Sequence, residues 1–293
     1  MTVQTRYRQG LAALLLAAAC AAAHAGPLPV VDAGMGEQVI AIPARIAGAD
    51  ITLQTTIYKP PGDGPFPVLF MNHGKDGGEA HQQPRARYLV ISREFVKRGY
   101  AVVIPMRKGF ADSGGTYVNS HCQARENGED QASSLYFAMA YVMKQPWADQ
   151  QHVIIAGQSH GGLTAIAAGS HNISGVQGVI NFAGGVNSRS HCDWQAALVD
   201  AFKAYGAVST TPSIWFYGAN DKHFGPKLAA EMYAAYTGAG GKAQLVAYGP
   251  FKRDAHGMSS SADGVAIWLP ETMRFLQGVG MPTEIKYTIK DKR

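Results

Sequence analysis

Val153-Ile154-Ile155-Ala156-Gly157-Gln158-Ser159-His160-Gly161-Gly162 is an apolar run leading into Gly-x-Ser-x-Gly-Gly. Leu163-Thr164-Ala165-Ile166-Ala167-Ala168-Gly169 follows with small residues at helical spacing. The order is strand, sharp turn, helix. A serine on such a turn is lifted off the backbone with its hydroxyl free, and the glycines are required where strand and helix pass too closely for a side chain. Read this way, Ser159 is a nucleophile. The pentapeptide is common by itself; the strand before it and the helix after it give it meaning. The rest of the chain must then supply a base, an acid and an oxyanion hole.

Outward from this turn, strands and helices alternate. Residues 37–44 and 51–58 alternate apolar and polar side chains and read as an antiparallel edge hairpin turning at Gly48. After the turn-rich break at 60–65, residues 67–72 form a buried-strand pattern that ends in His73-Gly74-Lys75-Asp76-Gly77-Gly78. A helix over residues 89–97 and a strand over 101–105 lead into the compact loop Arg107-Lys108-Gly109-Phe110-Ala111-Asp112-Ser113-Gly114-Gly115. A long helix over 129–143 precedes the Ser159 strand. Beyond it, strands fall at 178–182, 213–218 and 243–248, and helices at 194–205, 227–236 and 266–277. The basic segment 286–293 reads as a solvated end. This rhythm predicts an α/β fold, a mostly parallel central sheet flanked by helices. One domain is expected over 26–293, with little or no cap; only the connection 182–213 has room for one.

In such sheets, ligand sites gather at the carboxyl ends of the strands. Asp221 closes the 213–218 strand within Gly218-Ala219-Asn220-Asp221, and His256 follows the 243–248 strand. Ser159, Asp221, His256 is thus a nucleophile, acid, base order. A serine hydroxyl is a poor nucleophile at neutral pH, so His256 should take its proton, and Asp221 should orient the imidazolium that results. Asp76, Asp112 and Ser113 precede the elbow and do not fit the order. Asp193 reads as part of a loop beside Cys192, Asp254 as a loop carboxylate, and His223 as a competitor for the base lacking the expected intervening strand. The oxyanion hole needs backbone N–H groups. His160, next after the nucleophile, supplies one, and Lys75 in the loop after Asn72 the other; the Lys75 side chain is read as solvated.

The chain has 293 residues, 46% hydrophobic and 16% charged, enough for a sizeable core. Its formal charge is +5, without a basic run interleaved with aromatics, so nucleic acid is not an expected partner. Arg6 and Arg8 precede an apolar stretch over 11–23 and the small-x-small site Ala23-His24-Ala25. Residues 1–25 therefore read as a signal peptide, which implies export to the periplasm or beyond and no stable membrane insertion once it is removed. Its removal would lower the formal charge by two, to +3. Lipoprotein anchoring at Cys20 is disfavoured by Ala17 three residues before it. In an oxidising compartment the remaining Cys122 and Cys192 are read as a disulfide. Each lies in a Ser-His-Cys triplet, so a two-His, two-Cys zinc site is the alternative; adjacent His and Cys chelate awkwardly, and no Cys-x-x-Cys occurs. No metal or other cofactor is expected.

With these pieces placed, the chain resembles the α/β-hydrolase superfamily over 38–278, and within it the exported, lidless dienelactone-hydrolase-like proteins. The residues that carry the likeness are Gly157-Gln158-Ser159-His160-Gly161-Gly162, His73-Gly74, Gly218-Ala219-Asn220-Asp221 and His256-Gly257. The loop from Arg107 to Gly115 is similar to the Arg-Gly-x-Gly-x-Ser-x-Gly loop of the cocaine-esterase-like group, with Lys108 inserted. True dienelactone hydrolases use a cysteine where this chain has Ser159, so the resemblance implies fold and serine mechanism rather than substrate. It leads to the expectation of a secreted serine hydrolase that cleaves carboxylic esters, small or polymeric, through an acyl-enzyme. A serine peptidase of the prolyl-oligopeptidase or cocaine-esterase-like branches and a non-catalytic binding protein on the same fold are the alternatives.

Overall fold

In the computed structural model, residues 32–120, 122–188 and 190–289 are described; the expected signal peptide lies outside them. Eight strands form one sheet: β1 (Gln38–Ile46), β2 (Ala49–Tyr58), β3 (Phe66–Asn72), β4 (Ala101–Pro105), β5 (Ala148–Gln158), β6 (Val176–Phe182), β7 (Ser213–Gly218) and β8 (Ala243–Tyr248). Their spatial order is β1-β2-β4-β3-β5-β6-β7-β8. β1 and β2 pair antiparallel, as does β2 with β4, and every pairing from β4 through β8 is parallel. The hairpin turns through Ala47 and Gly48, both at positive φ.

The helices are α1 (Leu89–Lys97), α2 (Ala124–Val142), α3 (His160–Gly169), α4 (Trp194–Gly206), α5 (Pro226–Gly238) and α6 (Val265–Gly278). A continuous apolar run fits a strand covered on both sides, and alternate residues of β5 divide that way. Val153 and Ile155 pack with Leu135, Leu163 and Phe202 of α2, α3 and α4. Ile154 and Ala156 pack with Phe95 and Trp268 of α1 and α6. The connection between β6 and β7 is α4, whose Leu198, Ala201, Phe202 and Tyr205 are buried in the α2–α5 layer. It is a flanking helix, not a cap.

Two boundaries move. α2 starts five residues before the expected 129, because Gly128, which looks like a helix end, lies inside it. A Cβ there would lie 2.3 Å from Tyr205 Oη, so glycine lets α4 close onto α2, where Tyr205 donates to the Arg125 carbonyl. The basic end is also less free than expected. The N–H groups of Lys286 and Tyr287 both donate to the Lys97 carbonyl, at 2.7 and 2.9 Å, and so terminate α1. Among the described residues no helix is long and apolar enough to cross a membrane.

Cys122 and Cys192 form a disulfide, with their Cα atoms 6.3 Å apart. It joins the loop entering α2 to the loop entering α4. Each helix follows a strand, so the bridge lies on the carboxyl side of the sheet, where the site is built.

Candidate active site

The β5–α3 turn is as tight as its glycines require. A Cβ on Gly157 would lie 1.9 Å from the Gly161 carbonyl oxygen, and one on Gly161 would lie 2.1 Å from that of Asn72. Ser159 between them sits at φ 57°, ψ −125°, a conformation that L residues rarely adopt. Its N–H donates to Phe182 on β6, and its carbonyl accepts from Gly162, Leu163 and Gly185. The backbone is held on both sides while Oγ forms no hydrogen bond among the described residues.

Asp221 and His256 meet as the order of the chain implies. His256 Nδ1 is 3.0 Å from Asp221 Oδ2. The other carboxylate oxygen accepts the backbone N–H of His223 at 2.8 Å and of Phe224 at 2.9 Å. The Asp221 side chain is fully buried and that of His256 is 14% exposed. A carboxylate so fixed sets Nδ1 as the protonated nitrogen and leaves the Nε2 lone pair free. Gln158, next to the nucleophile, donates to the His256 carbonyl at 3.3 Å. Phe224 and His223 pack their rings at 5.6 and 4.4 Å from that of His256.

Asp254 does more than a loop carboxylate. One of its oxygens accepts the backbone N–H of both His256 and Lys222, at 3.0 and 3.2 Å. Partial burial acts to raise its pKa, but these hydrogen bonds outweigh that and hold it below the ordinary range. It clamps the base loop onto the acid loop. Asp193 caps α4 by accepting the Ala196 N–H. Asp112 and Ser113 bind Gln54 of β2, pinning the 107–115 loop to the sheet edge.

The expected oxyanion donors lie on the loops after β3 and β5. A Cβ on Gly74 would stand 3.4 Å from Ser159 Cβ, so this loop abuts the nucleophile. The Gly74 N–H is taken by Tyr88 Oη at 3.0 Å and the Asp76 N–H by Gln83 at 3.1 Å. The Lys75 N–H between them has no partner among the described residues. The N–H of His160, first residue of α3, precedes the helical ladder, where a helix N-terminus favours negative charge. The Lys75 ammonium binds the Asp76 and Gly78 carbonyls and lies 5.5 Å from the Tyr117 ring centre, so it folds back over its own loop.

Three residues escaped the sequence reading. Arg107, fully buried, donates from Nη1 to the His73 carbonyl, from Nε to Gln131 and from Nη2 to His160 Nδ1. Burial, and then the charge of Arg107, hold both His73 and His160 well below the usual histidine pKa. Tyr88 stands at φ 42° before α1, and burial pushes its hydroxyl up to about 12. Gln158 accepts from Tyr88 at 3.3 Å. The only hint in the sequence was Arg107 at the head of the glycine-rich loop.

A cavity of about 550 Å³ is walled by Gly74, Tyr88, Gln158, Met106 and Ser259; Ser159, Asp221 and His256 do not line it. Arg85 and Arg87 at its rim both bind the fully buried Glu37. Asp76 is its one acidic wall residue.

The family model for the X-Pro dipeptidyl-peptidase (S15 family) matches residues 48–211, more than half of the chain. The chain belongs to the S15 family. This S15 chain is 29% identical over 131 residues to the cocaine esterase of Rhodococcus sp. (strain MB1 Bresler), an alignment covering 44% of the chain and 21% of that esterase. It thus spans about a fifth of the length of its curated relative. Among solved structures, it is similar to a candidate dienelactone hydrolase from Klebsiella pneumoniae subsp. pneumoniae, with a TM-score of 0.56 and 15% identity over 83% of this chain and 98% of that one. It is also similar to the acylaminoacyl peptidase of Pyrococcus horikoshii, with a TM-score of 0.62 and 14% identity over 87% of this chain and 43% of that one. These likenesses establish the α/β-hydrolase fold for this S15 member. The family match contains Ser159 and stops before Asp221 and His256, whose tie to the Ser159 turn is the hydrogen bond from Gln158 to the His256 carbonyl.

Proposed function

We propose that this chain is an exported serine hydrolase, one domain over 26–293, that cleaves carboxylic ester bonds through Ser159, His256 and Asp221. The observation that carries it is the Asp221 Oδ2–His256 Nδ1 hydrogen bond of 3.0 Å, set beside a serine held in elbow geometry. His256 Nε2 takes the Ser159 proton as Oγ attacks the ester carbonyl, and Asp221 stabilises the imidazolium. The carbonyl oxygen becomes an oxyanion facing the N–H groups of His160 and Lys75. Collapse expels the alcohol, protonated by His256, and leaves an acyl-Ser159. Water, activated by the same histidine, then releases the acid. Export is supported by the N-terminal pattern and by the disulfide.

The S15 description also supports a second reading, in which the bond cleaved is a peptide bond next to a free amino terminus. An exopeptidase of that kind needs fixed carboxylates to hold the substrate ammonium. Here Asp221 and Asp254 are already engaged by His256 and by backbone N–H groups, and among the described residues Asp76 is the one carboxylate lining the cavity, its two arginines being held by Glu37. The ester reading is therefore preferred. Matched aryl esters and aminoacyl arylamides of the same acyl group, tested on one preparation, decide between them. Ester turnover at least about 100-fold faster in kcat/KM is expected; equal or faster amide cleavage refutes the preference.

A further inference from the structure

Arg107 is a buried cation for which the fold provides no anion. Its side chain is inaccessible to solvent, and its guanidinium binds three neutral acceptors, the His73 carbonyl, Gln131 Oε1 at 3.0 Å and His160 Nδ1 at 3.3 Å. Among the described residues no carboxylate pairs with it. The nearest acid in the network, Asp130, is reached only through the Gln131 amide and is itself bound to Lys108 at 2.5 Å. Burial draws Arg107 down to about 10, which leaves it charged at neutral pH. An unpaired buried charge is costly and is normally neutralised by a partner.

Two of the three acceptors belong to the segments that present the oxyanion donors. His160 is the donor residue after the nucleophile, and its Nε2–H, fixed by Arg107 on the other ring nitrogen, donates to Asn127 Oδ1 at 2.5 Å. His73 begins the loop that carries Lys75; its carbonyl accepts from the Arg107 guanidinium, and its ring accepts the Arg107 backbone N–H at 3.0 Å. One guanidinium thus braces both sides of the hole from behind.

We propose that Arg107 is a positioning residue whose uncompensated charge, held behind the loops of His160 and Lys75, finds its counter-ion in the oxyanion formed at Ser159. The inference rests on the serine-hydrolase reading. A charge fixed before reaction, in a site shielded from water, stabilises the transition state without reorganisation. A carboxylate beside Arg107 would cancel that field; Gln131 instead offers Arg107 a neutral Oε1 while its amide donates to Asp130.

The test is the second-order rate at which a fluorophosphonate labels Ser159, since it needs no knowledge of the substrate. Ser159 Oγ bonds to phosphorus as fluoride leaves, His256 takes the hydroxyl proton, and the phosphoryl oxygen occupies the hole. Gln131→Glu keeps Arg107 in place and supplies the missing carboxylate. It should slow labelling about tenfold or more while circular dichroism shows the fold intact; the lost hydrogen bond to Asp130 offsets any gain in stability from the new ion pair. Arg107→Gln should slow it by about 100-fold, and Arg107→Lys, which keeps the charge, should stay within about tenfold of wild type. A Gln131→Glu protein that labels at the wild-type rate, or Lys and Gln variants that are equally slow, overturns the proposal. Labelling of wild type without ester turnover sinks the ester reading alone, and the variant rates still decide this one. Absence of wild-type labelling overturns both.

Discussion

Gln158 Nε2 donates to the His256 carbonyl oxygen at 3.3 Å, across 98 residues of sequence. Gln158 therefore joins the Ser159 turn to the loop of His256. Its other end accepts from Tyr88, whose hydroxyl in turn accepts from Gly74, so elbow, base loop and oxyanion loop share one hydrogen-bonded chain. Tyr88→Phe removes its middle link. At about 1 kcal/mol for each of the two hydrogen bonds lost, kcat should fall by up to about 30-fold with KM nearly unchanged. Steady-state kinetics on an aryl ester measures this split; an unaltered kcat would show that the chain is passive.

Asp221 carries the next prediction. In Asp221→Asn the amide can hold the histidine only by presenting its N–H₂ to Nδ1, which moves the ring proton to Nε2 and removes the base. Turnover should fall by about 10³- to 10⁴-fold, while His223 and Phe224 still cap the remaining oxygen and the fold persists. Circular dichroism alongside the rate checks both halves.

Glu37 ties the cavity rim to the sheet edge. It is fully buried, and although burial acts to raise its pKa, hydrogen bonds from Arg87 and Arg85 and their charges outweigh this and hold it lowered. A depressed folded pKa adds stability above the unfolded value, near 4.3 for glutamate, and loses it as pH falls through the folded value. Because the arginines are partly solvated, Glu37→Gln should cost about 2–3 kcal/mol at pH 7, at or below the lower end for a broken buried pair. The gap from wild type should begin to narrow below about pH 4 and go on narrowing as pH falls. Urea titrations at pH 7 and 3.5 test the sign, and a gap that widens in acid contradicts it.

The disulfide closes a loop with a sequence separation of 70 residues. Chain entropy gives it about 4 kcal/mol, or roughly 10 °C in a domain of this size. Cys122→Ser with Cys192→Ser should lower the unfolding midpoint by about that much. Reductant should do the same to wild type and nothing further to the double variant.

What the sequence disclosed follows from which interactions are local. The elbow is a backbone problem solved within residues 157–162, so its glycines announce it. Asp221 and His256 end elements whose periodicity is plain, and the parallel order puts them together. Arg107, Tyr88 and Gln158 act through hydrogen bonds with sequence separations of 14 to 98 that no local pattern encodes. Asp254 is a loop carboxylate as the sequence implies, and its two backbone N–H partners become visible only once the loop is folded. Gly128 hid the start of α2 for the opposite reason, since its role is steric and set by Tyr205 on another helix.

Ester cleavage by this chain requires Ser159 to be the acylated nucleophile. Intact-protein mass spectrometry after fluorophosphonate treatment, followed by peptide mapping, addresses it most directly. One adduct per chain on Ser159 is predicted, with parallel loss of aryl-ester hydrolysis, and neither adduct nor turnover in Ser159→Ala. An adduct elsewhere, or full turnover by Ser159→Ala, would contradict the account.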